Sequence, residues 1–298
     1  MVRRRRHRYE TSRKSTVLLA RRPRVCDDAP GDRDTTSGDR AEEILMQAMN
    51  DQVIETVLNR QPHPLLFASI SGSHLYGFPS HDSDCDIRGA HILPIEKVVG
   101  LYTERETIEM METVDGVEVD LVTHDIKKYF EMLLGRSGNV LEHIFSPLMH
   151  HRTPYFDELR EIAEGCITKN HGHAYRGYAE SVWDSLGRTP KLKPLLYVFR
   201  VLLTGLHLME TGEVESNLMR LNHRYRLPYL TDLITMKLQG SEDTLLDDHD
   251  LEFYEREYRR LVRKLDDARM ASELPDEPRG KPELHDLLVR LRMEYVQR

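Results

Sequence analysis

Two short segments of this 298-residue chain carry side chains whose types and spacing suit chemistry on phosphates. An apolar run, Leu65-Leu66-Phe67-Ala68, leads through Ser69 and Ile70 into Ser71-Gly72-Ser73, and Asp84 and Asp86 follow with only Cys85 between them. On a strand, residues i and i+2 point to the same side, so the two carboxylates would stand next to each other. Like charges that close are costly unless a cation neutralises them. A hard ion such as Mg²⁺ takes one or two carboxylates, keeps some water and fills its remaining positions with substrate phosphates. The Gly72-Ser73 turn just upstream offers backbone N–H groups and a hydroxyl to such phosphates, a role Ser71 could share. The pattern predicts a metal-dependent nucleotidyl-transfer site. The plainer alternative is a solvated turn containing Asp82, Asp84 and Asp86. A Gly-Ser turn at that distance, ending an apolar strand, favours the metal.

Phosphoryl transfer relies on positioning and charge neutralisation. Two metals about 4 Å apart can clamp the attacking and leaving oxygens, and a second metal generally needs a third acid. Asp120 is the best candidate. It follows Asp115-Gly116, and Val117, Val119 and Leu121 alternate with Glu118 and Asp120, so the two acids share a face. Glu118 or Glu112 could substitute for it. Arg88, two residues after Asp86, either balances the acids from the same face or makes a surface pair. His74 and His81 border the site, where loop polarity is the simpler explanation. His150-His151 and His171-Gly172-His173 lack further partners at metal-ligand spacing. Tyr175, Tyr178, Trp183, Tyr197 and Phe199 could stack a base, but read mainly as core.

The elements that must position these residues are legible in outline. A helical stripe runs from Ala41 to Arg60 and stops at Gln61-Pro62-His63-Pro64. Leu65–Ser71 reads as a buried strand, His74–Pro79 as a turn or short helix, Cys85–Leu93 as a second strand and Pro94–Gly100 as a short helix. Cys85 should face away from the aspartates and into the core. Asp115-Gly116 between the alternating runs 106–114 and 117–123 is a strong hairpin signal. Asp125 is placed to N-cap the helix that follows. After Gly138 no strand is evident. Tyr155–Cys166, His171–Leu186, Lys191–Thr211, Pro228–Gln239, Asp248–Ala271 and Pro282–Arg298 all read as helices, the fifth with a seam of Leu251, Tyr254, Tyr258, Leu261 and Leu265. The expected fold class is α+β: a small mixed sheet with helices on one side over residues 41–138, then an all-α domain over 139–298.

Composition bounds the rest. The 34.8 kDa chain has a formal charge of −8 and a pI of about 6.0, which excludes a nucleic-acid binder of the basic-stripe kind. Hydrophobic residues make up 39% and charged residues 31%, the profile of a soluble protein with a highly charged surface. No uninterrupted apolar run approaches the roughly 20 residues needed to cross a bilayer, so no membrane role is expected. Cys26, Cys85 and Cys166 are too scattered for a disulfide framework, and a reducing cytoplasm is the expected location. Residues 1–40 open with Arg3-Arg4-Arg5-Arg6-His7-Arg8 and have no apolar periodicity. They read as a disordered basic tail or an upstream extension from a mis-set start, Met46 or Met49 being plausible true starts. An RNA-contacting arm or a targeting peptide is the alternative.

The apolar strand, Gly72-Ser73, Asp84-Cys85-Asp86 and Asp120 together resemble the DNA polymerase β-like nucleotidyltransferase superfamily. More narrowly, Ser71-Gly72-Ser73-His74-Leu75-Tyr76-Gly77 with His81-Asp82-Ser83-Asp84-Cys85-Asp86-Ile87-Arg88-Gly89 is similar to the predicted nucleotidyltransferases associated with RNA ligases. Lys193–Arg200, Gly205 and Thr211-Gly212-Glu213 add to that likeness, which spans residues 65–213. The resemblance implies that Asp84 and Asp86 bind Mg²⁺, with Mn²⁺ as an alternative, and that Asp120 completes the site. It implies that Gly72 and Ser73 contact the β- and γ-phosphates of a nucleoside triphosphate. Lys193 and Arg200, two helical turns apart and so on one face, could reach the triphosphate or the acceptor. The implied reaction moves a nucleoside monophosphate to an acceptor hydroxyl, with an RNA end as the acceptor and an RNA-ligase-type protein as a functional partner. A protein side chain or an aminoglycoside is the alternative acceptor. The competing reading is a non-catalytic nucleotide-binding or antitoxin-like protein.

Overall fold

A computed structural model describes residues 51–80, 83–186, 191–239 and 251–295, all within one compact unit, Met46–Arg298. The expectations for residues 1–50, for His81 and Asp82, and for the helix ends at 248–250 and 296–298 fall outside the described residues.

Helix α1 (residues 51–58) precedes strand β1 (Leu65–Ile70), a run whose four central residues are fully buried. A short helix, α2 (Gly72–Tyr76), and a loop lead to β2 (Cys85–His91). A 3-10 turn at Ile95–Lys97 precedes the hairpin of β3 (Thr107–Val114) and β4 (Val117–Asp125). The hairpin forms where predicted because Asp115 and Gly116 both adopt positive φ, 50° and 83°, as a two-residue turn of this hand requires. The fifth strand, β5 (Met149–Arg152), completes a mixed sheet of order β3-β4-β2-β1-β5, in which only β2 and β4 run parallel.

β5 corrects the expectation of no strand after Gly138. It pairs antiparallel with β1, placing Arg152 opposite Phe67 and His151 opposite Ala68. Its sequence, Met-His-His-Arg, buries no side chain fully, so backbone pairing rather than apolar alternation makes it a strand.

Alternation along β2 and β4 sorts the sheet into two faces. Cys85, Ile87, Val119 and Leu121 point one way and pack with Ala68 and with Val53, Ile54 and Val57 of α1. Asp86, Arg88 and Asp120 point the other way, the side on which Ala90 and Ile92 enter the main core. Helices therefore cover both faces, not one. α3 (Ile126–Leu134), α4 (Gly138–Ile144) and α5 (Pro154–Glu164) pack on the second face, and Phe67 meets Tyr129 edge-on at 5.3 Å and Phe156 at 4.7 Å. Asp125 caps α3 as predicted, accepting from the Lys127 N–H at 3.0 Å. It also accepts from the Leu93 N–H and from Arg292 of the last helix.

Among the described residues, the remaining helices are α6 (His171–Ser185), α7 (Leu192–Thr211), α8 (Leu218–Tyr225), α9 (Pro228–Gln239), α10 (Leu251–Ala271) and α11 (Lys281–Glu294). α4 and α8 were not foreseen. α8 starts at Asn217, whose side chain accepts from the Met219 and Arg220 N–H groups. α7 sits among α6, α8, α9 and α10. Its 20 residues are long and apolar enough to cross a bilayer, but 78% of its most apolar window is buried within the protein. The apolarity that would suit a membrane here faces other helices.

Two buried histidines give the fold a pH dependence. Burial pushes His91 and His171 down to about 4, well below the ordinary value near 6.5. Both are neutral in the folded protein at pH 7, whereas the unfolded chain takes up protons as pH falls below about 6.5. Their stabilising contribution is complete above that value and is lost between it and about 4. Thermal melts should show Tm falling steadily from pH 7 to pH 5, and an unchanged or rising Tm contradicts this.

Candidate active site

Asp86 is the second residue of β2, and Asp120 stands directly opposite it on the parallel neighbour β4. Each side chain is about a quarter exposed, at 26% and 27%. Arg88 joins them: its Nη2 donates to Asp86 Oδ1 at 2.7 Å and to Asp120 Oδ2 at 2.8 Å. Its Nη1 donates to the backbone carbonyl of Asp120 at 2.6 Å and to that of Ile87 at 3.0 Å. Burial pushes the Asp86 carboxyl above its ordinary range, against the pull of Arg88; the Asp120 and Asp84 charges push it further, and Lys193 opposes them. A half-buried acid raised by desolvation and by two other acids is a site that favours added positive charge.

The turn after β1 fits against this pair. The Ser71 N–H donates to the Asp86 carbonyl at 2.8 Å. Gly72 adopts φ +61°, and a Cβ there would lie 1.8 Å from Asp86 Oδ2. Only glycine allows both the backbone conformation and the close approach of the carboxylate. Ser71 and Ser73 are largely buried, and the Ser73 carbonyl accepts from the Gly77 and Phe78 N–H groups. Gly72→Ala therefore forces Asp86 out of place. With displacements of about 1 Å costing roughly a hundredfold in rate, the variant should lose at least that much nucleotide transfer while keeping a native circular dichroism spectrum. Transfer within a few fold of wild type contradicts this.

Asp84 lies just before β2, at the end of a tied loop. The Ser83 N–H donates to the Ser80 carbonyl at 3.0 Å, and the Ser80 N–H donates to Ser83 Oγ at 2.9 Å. Buried Lys237 of α9 donates to Ser80 Oγ at 2.7 Å. The Asp84 charge reaches Asp86 and His74, raising the pKa of each, although burial keeps His74 below its ordinary value. Among the described residues, no three His, Cys, Asp or Glu side chains are gathered as a ready metal cluster. Asp86 thus pairs with Asp120 across the two strands, and the Asp84 charge is felt at Asp86 from the adjoining loop.

The donor set fits a hard divalent cation. Two carboxylates on adjacent strands offer the oxygen donors that such an ion would take, and a guanidinium, itself a cation, sits between them. Cys85 faces the opposite side as expected, and burial raises its thiol to about 11.

The two basic residues of α7 have different fates. Lys193 is half-exposed, and its charge is felt at Asp86. Arg200 is fully buried, donating to Glu142 Oε2 at 2.8 Å with its guanidinium 3.7 Å above the Tyr76 ring. It therefore supports α2 from beneath instead of reaching toward a cleft. Sequence reasoning missed Glu142, 58 positions away, because nothing local marks it as the partner of Arg200. Most of the aromatic candidates are core, Tyr197 meeting Tyr76 edge-on at 5.3 Å, whereas Tyr178 is 40% exposed. His171 is buried against Thr168, and His150 faces Asp51 at 3.8 Å.

Residues 46–290 match the RNA repair pathway DNA polymerase beta family, a longer stretch than the 65–213 legible by motif. An uncharacterized protein of Methanocaldococcus jannaschii is 33% identical over 156 residues, covering 51% of this chain; the chain spans 63% of that relative's length. A crystal structure of a nucleotidyltransferase-like protein from Exiguobacterium sibiricum aligns with a TM-score of 0.30 and 11% identity, covering 82% of this chain and 76% of that one.

Proposed function

The chain belongs to the RNA repair pathway DNA polymerase beta family, and on that premise we propose that it transfers a nucleoside monophosphate from a triphosphate to the hydroxyl of an RNA end, releasing pyrophosphate. The observation that carries this reading is the direct pairing of Asp86 with Asp120 on β2 and β4, with the Gly72 backbone against the Asp86 carboxylate. Asp86 and Asp120 hold Mg²⁺ or Mn²⁺, and Asp84 adds its charge from the adjoining loop. When bound, the ion neutralises phosphate charge and polarises the reacting phosphoryl group. Gly72 and Ser73 border the triphosphate, and Lys193 reaches it from α7. Arg200 acts through Tyr76, holding α2 in place. The net charge of −8 means that RNA is engaged locally at the site rather than by a global field. The buried free thiols of Cys85 and Cys166 suit a reducing compartment, and an RNA-ligase-type protein is the expected functional partner.

The test is incubation of the full chain with each α-labelled nucleoside triphosphate, Mg²⁺, total cell RNA and cell lysate. Label should appear in RNA and depend on the divalent ion. Label confined to protein or to small molecules overturns the RNA acceptor. Tight nucleotide binding without transfer to any acceptor supports a binding module instead.

A further inference from the structure

Arg88 holds its carboxylates in an unusual way. A surface arginine typically meets one carboxylate with two nitrogens, whereas here a single Nη2 serves oxygens of two different acids while Nη1 is tied to two backbone carbonyls. The side chain is 23% exposed and rises from the same strand as Asp86, two residues on. The guanidinium thus stands where a cation shared by both carboxylates would stand. An ion drawing on those oxygens meets a positive group a few ångströms away, and the two cannot both keep full contact. We propose that Arg88 is a resident counter-cation, and that a divalent ion binds Asp86 and Asp120 by exchange with its guanidinium. This rests on the reading of those acids as ion ligands given above.

The exchange has a direction. Nη1 keeps its two carbonyl anchors while Nη2 releases the acids, so the side chain pivots without leaving the site. A triphosphate beside Gly72 supplies the anionic oxygens that the freed Nη2 can take up. Ion and triphosphate therefore bind cooperatively: the ion alone displaces Arg88 against its bonds to both acids, whereas the ion with a triphosphate provides a new partner. Without any divalent ion, Arg88 keeps the like-charged carboxylates aligned.

The test measures Mn²⁺ binding to the full chain by electron paramagnetic resonance, with and without a non-hydrolysable triphosphate. Wild type, Arg88→Met and Arg88→Gln are compared, each alone and each combined with Asp86→Asn. Without nucleotide, Arg88→Met should bind Mn²⁺ at least about tenfold more tightly than wild type, the consequence of removing a like charge at that range. Arg88→Gln, which keeps hydrogen-bonding capacity and so protects the fold, should shift in the same direction. The triphosphate should tighten Mn²⁺ binding more in wild type than in either variant. A general loss of structure would weaken binding, so a gain cannot come from misfolding. Equal or weaker Mn²⁺ binding in the Arg88 variants, still abolished by Asp86→Asn, overturns the exchange and leaves the ion site standing. No Mn²⁺ binding to any form, with or without triphosphate, overturns both.

Discussion

Asp86→Asn should lower nucleotide transfer by about a thousandfold or more while leaving the protein folded. The substitution keeps the side chain's shape beside Gly72 and removes its charge. Loss of several kcal/mol of charge stabilisation at a phosphoryl centre corresponds to about that factor, at roughly 1.4 kcal/mol per tenfold. The fold should tolerate the change because the carboxylate is held above its ordinary pKa by burial and by Asp120 and Asp84. A neutral side chain relieves that conflict, and Arg88 retains Asp120 as a partner. Single-turnover assays paired with thermal melts check both halves. Transfer near wild-type levels, or a collapse in Tm that accounts for lost activity, contradicts the expectation.

Arg200→Met should destabilise the fold by about 3–5 kcal/mol, the range seen when one partner of a buried ion pair is removed. Burial opposes the charge of Arg200, but Glu142 and Tyr76 outweigh it and keep the guanidinium ionised. Without it, the Glu142 carboxylate is stranded in an apolar interior, next to Tyr76 and Tyr175. Arg200→Met combined with Glu142→Leu should recover most of the loss, since a paired charge and a well-packed apolar replacement differ little in net stability. Denaturant midpoints of the two single variants and the double variant form the required cycle. Additive losses in the double variant would show that the pair is not a coupled unit. Because Arg200 lies over the Tyr76 ring, the single variant should also loosen α2 and raise KM for the triphosphate before it lowers kcat.

Much of the site was legible because its signals are local. Asp115-Gly116 dictates the hairpin through two residues that tolerate positive φ, and Asp125 caps α3 two positions from its partner. The alternation of β4 placed Asp120 on the correct face. What the sequence does not contain is adjacency. Asp86 meets Asp120 because β3 and its turn carry the chain back so that β4 runs parallel to β2. No spacing rule encodes that step. Arg200 and Lys193 do share a helix, but α7 is the core helix of its neighbourhood, and periodicity does not say which part of a buried helix comes near the surface. The result is one residue sensed by the acids and another sealed beneath α2. β5 escaped notice because its side chains bury little, and Lys237 because a buried lysine reaching Ser80 looks, in sequence, like any other surface base.

The shared placement of ion and triphosphate can be seen directly. A crystal of the full chain grown with Mn²⁺ and a non-hydrolysable triphosphate, measured at a wavelength where manganese scatters anomalously, locates the metal without reference to activity. An anomalous peak is expected within bonding distance of both Asp86 and Asp120, with the phosphates against Gly72 and Ser73. A well-occupied manganese and triphosphate bound elsewhere, with Arg88 still bridging the two carboxylates, would contradict it.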